Sequence, residues 1–211
     1  MKKIIVLLLA IFMLVPTFAS ANTNVEEPQN KKEGLLTAQE LEEINAALDK
    51  IVVKANENLD NGIEDFVVKE KIGKDTIEFG FESTNVPAIL GYKSTNLNTS
   101  ISTYATAAST RKLYRASVKN TAGWNFEHIL AGEFTYSGGK INGATTDVLM
   151  TGAMYTESHR TWIDKLDPSV WVVQSHGTFK ALKYLVEYNT YLTVRLLGSG
   201  HYRVERAQIS F

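Results

Sequence analysis

Cysteine is absent from all 211 residues, and the chain opens with an export signal. Together these features constrain the fold more than anything else in the sequence. Lys2 and Lys3 precede an unbroken apolar run from Ile4 to Val15, Pro16 breaks it, and Ala19-Ser20-Ala21 supplies a small-x-small cleavage site. The run is too short for a membrane-spanning helix, which takes about 20 apolar residues. Residues 1–21 are therefore expected to be removed after Ala21, leaving a secreted, extracellular chain. Small exported domains commonly staple themselves with disulfides. This one must bury a core instead, so its folded part should approach about 100 residues or more. The absence of cysteine also excludes a Cys–His nucleophile and a cysteine-borne lipid anchor. No second apolar run of membrane length follows, so no transmembrane segment is expected in the mature chain.

Charge is unevenly distributed. Residues 22–108 carry eight Lys/Arg against fifteen Asp/Glu, a net −7, and residues 109–211 carry twelve against eight, a net +4. Such halves can attract each other, or the basic half can seek an anionic partner.

Three regions follow the signal. Residues 22–108 read as an acidic N-terminal region, beginning with a polar leader at 22–34. Thr37 and Glu40 then form a capping box. Leu41, Ile44, Leu48, Ile51, Val52, Ala55 and Leu59 recur at helical spacing, which predicts an amphipathic helix over 38–59, closed by Asp60-Asn61-Gly62. Alternation around Gly73-Lys74-Asp75 predicts a β-hairpin over 66–81. Residues 83–108, rich in Ser, Thr and Asn, read as a linker and mark the expected domain boundary.

Residues 109–211 read as an all-β domain, with strands at 111–119, 126–136, 140–155 (interrupted near Gly143 or Gly152), 170–182, 188–197 and 201–211. Residues 179–188 could instead make a helical turn or two. Ser137-Gly138-Gly139 and Gly198-Ser199-Gly200 are glycine hairpin loops. The fold class is mainly β: an antiparallel β-sandwich or small barrel, preceded by an amphipathic helix and a β-hairpin.

The chemistry-bearing residues match no catalytic pattern. His128, His159, His176 and His201 have no metal-ligand spacing, so no metal or cofactor is expected. His128 shares strand parity with Phe126, Leu130 and Phe134, which places it in the core. There is no Gly-x-Ser-x-Gly elbow. Glu127 and Glu133 lie about 20 Å apart along one strand, too far to act as a glycosidase pair by themselves. An enzyme is not expected. The candidate surface-binding residues are Trp124, in a turn, and Trp162, in a polar stretch with His159 and Arg160. Exposed aromatic rings of this kind stack on sugars, although the ordinary role of a tryptophan is packing, the role expected of Trp171.

The strings Gly123-Trp124-Asn125-Phe126 and Gly132-Glu133-Phe134-Thr135-Tyr136-Ser137-Gly138-Gly139 resemble small exported proteins of Bacillus-like bacteria, some similar to large unmodified bacteriocins of the geobacillin type. The resemblance lies mostly within 109–211. It implies a Gram-positive, non-enzymatic antibacterial or cell-envelope-acting protein and carries over no catalytic residues. The alternative is a cell-wall glycan-binding module, and the third reading is a hydrolase without a recognisable motif. The expected partner is an anionic envelope or wall glycan, not a nucleic acid. One further expectation concerns 22–108, which by charge and position could act as a removable cover for the basic half.

Overall fold

The computed structural model describes residues 36–86, 109–122, 125–152, 155–181 and 186–211. The signal at 1–21, the leader at 22–34 and most of the linker lie outside the described residues. Every described residue belongs to one unit, Lys32–Phe211.

The capping box forms as its residues dictate. Thr37 is extended, its hydroxyl accepts the Glu40 N–H at 3.1 Å, and the Glu40 carboxylate accepts the Thr37 N–H at 2.9 Å. Two orphan donors at the helix start are thereby satisfied. Helix α1 then runs over Ala38–Asp60 and buries Leu41, Ile44, Leu48, Ile51, Ala55 and Leu59. Burial of each Leu or Ile contributes about 1.5–3 kcal/mol. Gly62, at φ 74°, turns the chain away from the helix.

Among the described residues nine strands follow: β1 (Asp65–Ile72), β2 (Asp75–Val86), β3 (Thr110–Asn120), β4 (Phe126–Ser137), β5 (Lys140–Gly152), β6 (Tyr155–Asp167), β7 (Val170–Ala181), β8 (Val186–Leu197) and β9 (Tyr202–Ser210). They form two antiparallel sheets, ordered β1-β2-β3-β4-β5 and β6-β7-β8-β9, so each sheet is a meander in chain order. The fold is mainly β and antiparallel, with one helix and a hairpin at its start. It is not a closed barrel.

The inner faces of the sheets share one core. Phe79, Phe81, Val118, Leu130 and Phe134 from the first sheet cluster with Val173, Phe179, Leu192, Val194 and Leu196 from the second. Aromatic rings bridge the sheets, with Phe126 4.6 Å from Phe179 and Phe81 5.0 Å from Tyr202. At one end the Ile141 N–H donates to the Pro168 carbonyl and the Gly198 N–H to that of Ser169, which ties three turns together. Gly198 is needed there, because a Cβ would sit 2.1 Å from the Gly139 carbonyl oxygen.

Helix α1 packs on β9, β1 and β2 and spans the side where the two sheets end. Its stripe completes the core, and its asparagines cap β9. Asn45 exchanges a pair of hydrogen bonds with the backbone of Ile209, and Asn56 does so with Val204. The Tyr188 hydroxyl accepts the Leu36 N–H at 3.0 Å, fixing the chain just before the helix.

Three expectations are corrected. The boundary drawn near residue 109 does not divide the fold: β2 pairs with β3 from Ile77↔Asn120 to Val86↔Arg111, so residues on either side share one sheet. The hairpin is correspondingly longer, and 83–86 are strand rather than linker. The strand over 140–155 breaks after Gly152, one of the two places offered by the sequence, but β6 fills a stretch assigned no strand. The option of helical turns at 179–188 also fails where residues are described, since 179–181 end β7 and 186–188 begin β8.

Candidate functional site

Strand parity sorts the second sheet into an inner face and an outer one, because successive side chains alternate. The ladders then place the outer residues in rows that run across the strands from β6 to β9. Ser158, Thr178, Asn189 and Ser210 form one row. Arg160, His176, Tyr191 and Gln208 form the next, followed by Trp162, Gln174, Thr193 and Arg206. These twelve side chains include no carboxylate and no aliphatic residue. A fourth row holds Asp164, Val172, Arg195 and Arg203.

The rows are ordered by stacking. The His176 ring lies 4.6 Å from that of Tyr191 with only 15° between planes. The Arg206 guanidinium sits 4.0 Å over the Tyr191 ring, and that of Arg160 lies 5.5 Å from Trp162. Trp162 is 36% exposed, and its indole N–H donates to Asp164 at 3.1 Å, as does the Gln174 amide. Asn189 accepts from Thr178 at 3.0 Å and lies 3.1 Å from His176. Both guanidiniums lie within cation–π reach of a ring, a contact that contributes about 0.5–1 kcal/mol at exposed sites.

The outer face of the first sheet differs. Its charges largely neutralise one another through Lys69–Glu78, Arg111–Glu133 and Arg115 with both Glu82 and Glu127. On the second sheet, Lys180 pairs with Glu187 and Arg195 with Glu205. Arg160, Arg203 and Arg206 have no carboxylate partner among the described residues. Arg206 instead donates to the Gln208 amide oxygen.

The expected site is rearranged by these facts. Arg160 and Trp162 do share the outer face. His159 does not: it lies on the opposite parity of β6, exposed at the margin of the sheet, 3.4 Å from the Thr161 hydroxyl. Trp124 lies outside the described residues. Trp171 is buried, with Lys165 4.3 Å over its ring. The sequence does not single out Tyr191, Arg203 or Arg206, and it brings His176 forward only as a metal-ligand candidate without the required spacing. Each sits on a different strand or turn of the pattern from Trp162, so only the cross-strand register brings them together.

The one buried histidine bridges the sheets. His128 on β4 is 1% exposed, with Nε2 2.8 Å from the Ser175 hydroxyl on β7 and Nδ1 2.8 Å from the Thr190 hydroxyl on β8. Burial, then His159 and His176 nearby, pushes its pKa down to about 4. The pairing has the distance of a serine–base couple, but the third group is a hydroxyl rather than a carboxylate, and Ser175 is itself buried. Three surface depressions are lined respectively with Asp60, Glu127 and Glu133 as their single carboxylates. Glu127 and Glu133 themselves are ion-paired on the outer face of the first sheet.

Among the described residues, no group of three or more His, Asp or Glu side chains is placed to hold a metal ion, and no helix is long and apolar enough to cross a membrane. Searches against protein-family models, curated proteins and solved structures return no match to this chain.

Proposed function

We propose that this is an exported, non-enzymatic protein that acts by binding the bacterial cell envelope, with the outer face of β6–β9 as its contact surface. The observation that carries the reading is the set of three rows with stacked rings, arginines and amides and no carboxylate. Those three rows offer an anionic, hydroxyl-rich surface donors and no carboxylate of their own; the carboxylate beside them, Asp164 of the fourth row, is engaged by Trp162 and Gln174. Export follows from the signal-like residues 1–21. Antibacterial action of the bacteriocin type is what the resemblance in 109–211 adds. Removal of 22–108 as a cover is not part of the proposal, because it would strip β1, β2 and α1 from the shared core.

The second reading, a wall-glycan module, is favoured by one observation: Trp162 keeps part of its ring open beside hydrogen-bonding neighbours, an arrangement suited to stacking on a sugar. A single experiment separates these readings. Protein comprising residues 22–211 is incubated with isolated Gram-positive cell walls, and a growth assay on related strains runs in parallel. Wall binding that falls with salt, weakens in Trp162→Ala and accompanies growth inhibition supports the first reading. Wall binding without inhibition supports the second. Binding unchanged in both Trp162→Ala and Tyr191→Ala would rule out this face.

A further inference from the structure

Building on that reading of the face, we infer that its ligand is an extended polymer of polyol or sugar units joined by phosphodiesters, lying across the strands from Arg160 on β6 to Arg206 on β9. The direction follows from where the groups sit. The rings, with Arg160 and Arg206, occupy the second and third rows, the first row is neutral (Ser158, Thr178, Asn189, Ser210), and the fourth adds Arg203 beside Asp164 and an Arg195 already paired with Glu205. A chain laid along one strand would meet one or two of these groups. A chain laid across the strands meets Arg160, His176, Tyr191 and Arg206 in turn. From β6 to β9 is three strand spacings, about 14 Å, which exceeds a single small repeating unit.

The charge chemistry favours phosphate in the chain itself. Every cation in the four rows is an arginine, and its planar fork matches the paired oxygens of an oxyanion. Arg160 and Arg206 are drawn against the sheet by the rings of Trp162 and Tyr191, so their forks lie low on the platform. A phosphodiester carries its charge in the line of the polymer, where low-lying forks reach it. A carboxylate on a sugar projects to the side. Between phosphates, hydroxyls of the polymer meet Asn189, Gln174, Gln208 and Thr178. A lipid bilayer fits less well, because the three rows bearing these groups have no aliphatic side chain to insert.

The test uses residues 22–211 and four defined probes: a poly(glycerol phosphate) chain, glycerol phosphate monomer, a polyuronate of similar length, and phosphatidylglycerol vesicles. The polymer is expected to bind about 100-fold more tightly than the monomer, because several contacts act together. Arg160→Gln with Arg206→Gln should weaken polymer binding by about tenfold or more, given paired loss of charge-assisted bonds. Lys69→Gln with Lys119→Gln, on the other sheet, should leave it unchanged. Circular dichroism of each variant confirms that the fold is intact. Equal affinity for monomer and polymer, equal or tighter binding of polyuronate or vesicles, or no effect of the arginine pair would each overturn the inference. If isolated walls are bound through Trp162 while the poly(glycerol phosphate) chain is not, the envelope-binding reading survives and this inference fails.

Discussion

The Asn56 side-chain amide donates to the Val204 carbonyl and accepts from the Val204 N–H, both at 2.9 Å. A helical side chain thus occupies the place of a tenth strand. Asn45 does the same for Ile209. The spacings explain why both contacts fit. Eleven residues of helix rise about 16 Å and return to nearly the same face, while five residues of strand also cover about 16 Å. Edge strands with free backbone groups invite unwanted pairing, and here two asparagines close the edge. Asn56→Ala is expected to destabilise the protein by about 2–4 kcal/mol, because it leaves a buried N–H and C=O unpaired. Asn45 is half-buried and water can replace it, so Asn45→Ala should cost about 1 kcal/mol. Urea unfolding of each variant measures both values.

The pairing of β2 with β3 leads to a second expectation. A fragment of residues 109–211 would lose the hydrogen-bonded neighbour of β3, the helix beside β9, and the inner side chains Ile77, Phe79 and Phe81, all fully buried in the whole chain. The fragment should therefore fail to fold as a stable monomer. Circular dichroism and thermal unfolding of 109–211 beside 22–211 would show it. A cooperative transition in the fragment would mean that the N-terminal elements are accessory.

Much of this architecture is legible in residues with strong local rules. The Thr37–Glu40 box and the stripe from Leu41 to Leu59 define α1 almost to the residue, and Ser137-Gly138-Gly139 marks the β4–β5 turn. Strand β6 is not legible, for a physical reason. Its residues from Thr156 to Arg160 are all exposed on a sheet margin, so no apolar alternation announces it. The domain boundary misleads because composition changes at 83–110 while the described strands on either side, β2 and β3, pair in one sheet. The candidate face is half-visible: Arg160 and Trp162 are near in sequence, but His176, Tyr191 and Arg206 join them only through register, which a single sequence does not encode locally.

The tryptophans should behave oppositely. Trp171 is 8% exposed and packs in the shared core, whereas Trp162 is 36% exposed on the outer face. Trp171→Ala is expected to cost about 3–5 kcal/mol through a cavity. Trp162→Ala should cost under about 1 kcal/mol, as surface changes usually do. Denaturant unfolding provides both numbers. A Trp162 cost as large as that of Trp171 would make it a packing residue.

Acid should loosen the protein at His128. Its pKa, pushed down to about 4 in the fold by burial and by His159 and His176, lies below the ordinary 6.5. The unfolded chain therefore binds the proton more readily. The stability due to neutral His128 is fully present above pH 6.5 and is lost as pH falls toward 4, by about 3 kcal/mol in total. Protonation also forces a donor onto each ring nitrogen, against hydroxyls that must both then accept. Unfolding free energy measured between pH 7 and 4 should fall more steeply for this chain than for His128→Gln, after the carboxylate contribution common to both. Parallel curves would show that His128 does not titrate with unfolding.

A last prediction concerns a buried charge that joins three parts of the fold. Lys112 on β3 is 7% exposed, and its ammonium lies 2.7 Å from both carboxylate oxygens of Glu64 and 2.9 Å from the Gly200 carbonyl. It also sits 5.1 Å from the Tyr202 ring centroid. One side chain thereby holds the end of the α1–β1 loop and the β8–β9 turn to the first sheet. Taking a charge out of water is costly, and the pairing offsets that cost only while both partners remain. Lys112→Met leaves Glu64 able to turn to solvent, since its side chain is 22% exposed. Glu64→Gln leaves the ammonium with the Gly200 carbonyl, an amide and a ring, but no counter-charge. Glu64→Gln should therefore destabilise by about 3 kcal/mol or more, as removal of one partner of a buried pair does, and Lys112→Met by less. The double variant should lie close to Lys112→Met alone, because both changes remove the same interaction. Additive effects in that cycle would show that Glu64 and Lys112 act independently and that the loop is held by other contacts.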